Sequence, residues 1–101
     1  VAHIFVVMEL LCCELRIKYK EPTVRNYQLV IGWWIEYIEG YTTVIRFENL
    51  KVSQCRSAFY NNVKYDMDIP SDKAYKRLKT FFVFLKEEGY SNSKVFKAFG
   101  I

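Results

Sequence analysis

The feature that most restricts what this chain can fold into is the segment from Val24 to Ile38. In it Val24, Tyr27, Ile31, Trp34, Ile35 and Ile38 recur at three- and four-residue steps, which predicts a helix. Val30, Trp33 and Tyr37 add a second apolar stripe about a third of a turn away. A helix that is apolar on two sides has to be packed on two sides, so this segment reads as the central helix of a bundle. It should open at Pro22 or Thr23, as a proline at the first helical position or a capping hydroxyl. Gly40 should stop it.

The flanking sequence supplies partners. Ile4, Met8, Leu11 and Leu15 form one helical stripe, widened by Phe5 and Cys12, from about His3 to Tyr19. The helix should end before Pro22, because a residue preceding proline avoids helical geometry. Asn49 can cap a third helix with Val52, Cys55, Phe59 and Val63 on one face, weakened by Asn61 and Asn62. Ile69-Pro70-Ser71-Asp72 is a start signal, with Ser71 capping and Asp72 favourable near the helix N-terminus. Ala74, Leu78, Phe81, Phe82 and Leu85 then make the buried face of a fourth helix ending at Gly89. A fifth, about Ser93 to Phe99, offers Val95, Phe96 and Phe99. Tyr41 to Phe47 is rich in β-branched residues but has no second strand to pair with, so an extended connection is expected there. The sum is an all-α, compact bundle of four to five helices forming a single helical domain over residues 1–101.

Composition suits that reading. Half of the 101 residues are apolar and eighteen are aromatic, ample for a core, and only four glycines and two prolines argue against disorder. The chain opens on Val rather than Met, which reads as a piece of something longer. The apolar run from Ala2 is broken by Glu9, with Glu14 and Arg16 soon after. A membrane-spanning helix needs about 20 largely uncharged residues, and a signal peptide would carry a basic start. The run therefore reads as a core helix, with self-association through it as the lesser possibility; no membrane partner is expected. Cys12 and Cys13 are adjacent and rarely bridge in that position, no Cys-x-x-Cys occurs, and His3 is the single histidine. No zinc set can be assembled from these, and buried thiols in a reducing, cytoplasmic setting are expected.

Catalytic constellations are missing. No Ser, Cys or Thr can be given a histidine base other than the terminal His3. Glu87 and Glu88 point about 100° apart on a helix, and the four glycines form no phosphate loop. Asp66 and Asp68 read as a turn rather than a metal pair. No catalytic residue, cofactor, metal or small-molecule ligand is assigned. Charge is more informative: the net charge is +4, and Lys73, Lys76, Arg77, Lys79 and Lys86 surround the fourth helix. Thr23, Arg25, Asn26 and Gln28 lie on the exposed side where the second helix begins. Side chains of these types contact phosphates and base edges, although they equally suit a solvated helix face. Tyr75 and Tyr90 are the aromatics best placed to stack on bases.

Several short motifs then fall in a familiar order. They are Thr23-Val24-Arg25-Asn26-Tyr27, the patch Trp34-Ile35-Glu36-Tyr37-Ile38, Phe59, the run Leu78-Lys79-Thr80-Phe81-Phe82-Val83-Phe84-Leu85, and Glu88-Gly89-Tyr90. The order resembles the core-binding (SAM-like) domain of the tyrosine recombinase, or phage integrase, family. Family members close this domain with Asn-Pro, where this chain has Asn92 followed by Ser93. The resemblance implies a non-catalytic clamp that grips one side of double-stranded DNA in site-specific recombination. Helices two and four would cross the major groove. Lys73, Lys76, Arg77, Lys79 and Arg25 would then meet phosphates, Asn26 or Gln28 base edges, and Thr23 would open the second helix. Strand cleavage would belong to a separate domain, since the family's His-x-x-Arg does not occur here. The alternative is a helical protein–protein interaction module that dimerises through its first helix.

Overall fold

The computed structural model describes residues 2–41, 46–55 and 69–101, and every regular element within them is helical. Helix α1 spans Ala2–Lys18 and α2 spans Glu21–Tyr41. A 3-10 turn over Phe47–Asn49 precedes α3, Val52–Cys55, and then come α4, Ser71–Glu87, and α5, Ser93–Ala98. The first, second and fourth helices pack on one another, while α5 closes one end with α3. The all-α bundle expected from the spacing is the observed architecture.

Local chemistry sets the boundaries, and in four places it differs from the sequence reading. Helix α2 begins at Glu21, because the Lys20 carbonyl already accepts from the N–H groups of Thr23 (3.0 Å) and Val24 (3.3 Å). Pro22 thus lies in the first turn, where its missing N–H costs nothing, and Thr23 lies inside the helix rather than capping it. Gly40 does not stop α2, which runs through it to Tyr41. One helical glycine costs only about 1 kcal/mol relative to Ala, and Gly40 lacks the positive φ of a terminating glycine. Asn49 belongs to the 3-10 turn, and α3 instead starts after Lys51, whose N–H donates to Gln54 Oε1 at 2.8 Å. Ser71 is the first residue of α4 rather than its cap. The cap position is Pro70, whose carbonyl accepts from the Ala74 N–H at 3.0 Å, with no side-chain capping bond.

Gly89 does end its helix region as expected, two residues beyond Glu87. Its φ of +94° turns the chain so that the Tyr90 N–H reaches the Leu85 carbonyl (3.0 Å) and the Gly89 N–H the Lys86 carbonyl (3.1 Å). Both carbonyls would otherwise be orphaned at the helix end. Gly100 repeats the device after α5, with φ +71° and bonds from Ile101 to Phe96 (2.9 Å) and from Gly100 to Lys97 (3.1 Å).

The core is an aromatic cluster. Trp34 of α2 is fully buried and meets Phe81 and Phe82 of α4 edge-on, at centroid distances of 6.4 and 5.2 Å. Phe82 in turn meets Phe99 edge-on at 4.9 Å. Phe47, assigned by its sequence context to a connection, is fully buried against Phe82 (5.6 Å), Phe96 (5.7 Å) and Tyr90 (6.3 Å). Each such side chain contributes roughly 1.5–3 kcal/mol through burial.

Asn92 is the one polar residue buried with this core among the described residues. Its Oδ1 accepts from the Val95 N–H at 3.2 Å, capping α5, and its Nδ2 donates to the carbonyls of Phe47 (2.9 Å) and Leu50 (3.0 Å). A single amide therefore caps one helix and pins the 3-10 turn to it. The proposed third-helix residues Phe59, Asn61, Asn62 and Val63, the Thr42–Ile45 part of the expected connection, and Asp66 and Asp68 lie outside the described residues.

Candidate nucleic-acid interface

The sequence placed eight candidate residues on α2 and α4, and the fold sorts them by helical angle. Arg77 Nε donates to Asn26 Oδ1 at 3.1 Å, and the guanidinium carbon sits 4.3 Å from the centroid of the Tyr27 ring. The planar guanidinium can do both at once because its N–H donors lie in its plane while its face stacks on the ring. This contact joins the N-terminal parts of α2 and α4 and makes their outer surfaces neighbours.

Around it, Arg25 on α2 and Lys73 and Lys76 on α4 are exposed; Asn26 and Arg77 are half-buried. Arg25 and Asn26 also line a depression of about 280 Å³ with Glu21, Pro22 and Leu29, residues three and four apart on one face of α2. The surface therefore combines exposed cations with a shallow, largely apolar hollow. Glu21 and Asp72 are exposed at its edge and lower its net positive charge.

Two of the eight candidates lie elsewhere. At 100° per residue, Lys79 is about 200° around α4 from Arg77. Its Nζ lies near Gly100 at the C-terminal end of α5, where a cation is favoured by the helix dipole. Lys86 lies on the same side, 5.9 Å from the centroid of the Phe96 ring. Gln28, half-buried, is likewise about 200° around α2 from Asn26. It lies one turn before Gly32, which faces Met8 of α1. Thr23 is half-buried one turn before Tyr27.

The aromatic candidates are already engaged. Tyr75 stacks on Phe99 at 5.0 Å with an interplanar angle of 9°. Tyr90 stacks on His3 at 5.6 Å and meets Phe47 edge-on. Both are half-buried, with one face of each ring already covered by its stacking partner. Asn92 is the structural residue the sequence reading left unassigned. Its signal was available, since an asparagine three residues before the first buried residue of an apolar segment is a helix cap.

Cys12 and Cys55 are buried and Cys13 is exposed, all three as free thiols. Burial pushes the Cys12 thiol up to about 11, with Glu9 adding to the effect, and the Cys55 thiol up to about 12. Among the described residues no group of three or more His, Cys, Asp or Glu side chains is arranged to hold a metal ion. No helix among them is long and apolar enough to cross a membrane. No family model, characterised protein or solved structure matches the chain.

Proposed function

We propose that this chain docks on double-stranded DNA through the outer surface of the N-terminal parts of α2 and α4, as a non-catalytic clamp of the tyrosine recombinase type. Arg25, Lys73 and Lys76 contact phosphates, and the Asn26–Arg77 pair fixes the spacing between the two helices that carry them. What supports this reading is the 3.1 Å bond from Arg77 to Asn26, which turns two separate basic helix starts into one surface. Lys79 and Gln28 face other helices and are left out of the contact. The recombinase assignment rests on the motif order in the sequence and on the all-helical fold.

The test is fluorescence anisotropy of a labelled random-sequence duplex. Three phosphate contacts give a log–log salt slope of about −2.7, so affinity should fall roughly forty-fold between 50 and 200 mM salt. Absence of binding at 50 mM salt would overturn the reading.

A further inference from the structure

Helix α1 carries a second apolar stripe that the bundle does not use. Its inner face, Ile4, Met8, Leu11 and Leu15, is buried. On the opposite face Val6, Leu10, Cys13 and Ile17 follow one another at steps of four, three and four, and all four are exposed. Val6, Leu10 and Ile17 have 59, 49 and 85% of their surface open. Isolated exposed apolar residues are ordinary, whereas a contiguous row of them marks an interaction surface. The 4-3-4 spacing is that of a two-helix coiled-coil seam.

Charge along the seam selects the occupant and its direction. Glu9 and Arg16 border the seam on one side, Arg16 with its Nε 3.4 Å from Glu21 Oε2 at the start of α2, and Glu14 borders it on the other. A second α1 running parallel would set Glu9 against Glu14 of the second copy, five residues on, which is repulsive. An antiparallel second copy layers Val6 on Ile17 and Leu10 on Cys13. It also brings the two Glu9–Arg16 borders together, so that each Glu9 lies beside the other copy's Arg16, offset by about two residues or roughly 3 Å along the axis. The geometry points to an antiparallel, two-fold homodimer of this chain through the outer face of α1. One helix face of this length buries less than the ~1,200 Å² of a standard interface, so the dimer is weak and concentration-dependent.

Sedimentation velocity on the whole chain under reducing conditions, over about a hundredfold range of concentration, should show the sedimentation coefficient rising toward that of a dimer. A monomer throughout would overturn the proposal. Glu9→Arg separates the two directions. It places like charges together in the antiparallel pair and should weaken the dimer about tenfold, whereas it would strengthen a parallel one. Adding Arg16→Glu to Glu9→Arg should restore association, which loss of folding could not do. Leu10→Cys under mild oxidation should link the introduced thiol to Cys13 of the second copy, mapped by peptide mass spectrometry. Links of like position to like position, or a dimer untouched by Glu9→Arg, would contradict the antiparallel seam.

Discussion

Arg77 of α4 donates a hydrogen bond to Asn26 of α2 and lies over the Tyr27 ring one residue further on, so one side chain ties two helices by two different interactions. Both residues are candidate nucleic-acid contacts by residue type and position in the sequence. In the folded chain they contact each other.

A double-mutant cycle measures that tie. Asn26→Ala and Arg77→Ala should show a coupling of about 0.5–1.5 kcal/mol in urea unfolding. Arg77→Lys should lose most of it, because an ammonium offers neither the in-plane donor nor the flat face. Additive single effects would mean the bond contributes nothing to stability.

Asn92 should be the costliest polar position to change. Asn92→Ala removes a helix cap and leaves the Phe47 and Leu50 carbonyls without their donor, at about 2–4 kcal/mol. Asn92→Asp keeps the capping oxygen but sets a carboxylate against two carbonyls, so it should be no better than the alanine variant. Chemical denaturation distinguishes the two contributions; a wild-type midpoint for Asn92→Asp would show that the two donated bonds do not matter.

Two glycines should respond with opposite signs. Gly89→Ala forces a Cβ into the left-handed region at φ +94°, costing about 1–2 kcal/mol even though no heavy atom stands within 4 Å of the new Cβ. Gly40→Ala adds a helix-favouring residue within α2, also without a clash, and should raise stability by about 0.5–1 kcal/mol. Thermal melts of the pair give both signs directly.

Thiol accessibility gives an independent check on α1 and α3. At pH 8 the folded chain, dilute enough to be monomeric, should release colour from an aromatic disulfide reagent at one thiol promptly, Cys13. Cys12 and Cys55, buried and raised to about 11 and about 12, should react only on unfolding. Prompt reaction of all three at pH 8 would contradict the packing.

The order of the described helices was legible in the sequence because long apolar stripes at period 3.6 survive almost any tertiary context, as Val24 to Ile38 illustrates. Ends were less legible because they depend on which group satisfies a few backbone atoms. Lys20 and Pro70 hold cap positions through their carbonyls alone, which no side-chain preference reveals. Phe47 was hidden for a different reason: its β-branched neighbours set the local pattern, while its burial is decided by Phe82 and Phe96, far along the chain. The basic residues were identifiable by type but not by direction. A helix turns about 200° between Arg77 and Lys79, so neighbours in sequence serve different faces.

The most direct measurement compares salt slopes for duplex binding between the unaltered chain and two charge-removed variants, both checked for unchanged helicity. The Arg25→Ala, Lys73→Ala, Lys76→Ala variant removes the exposed cations of the α2–α4 surface, and Lys79→Ala, Lys86→Ala removes those facing α5. We expect the first to flatten the slope by about 2.7, close to complete loss, and the second to leave it unchanged. Equal slopes for all three proteins, or a loss confined to the second variant, would contradict the placement of a DNA contact on α2 and α4.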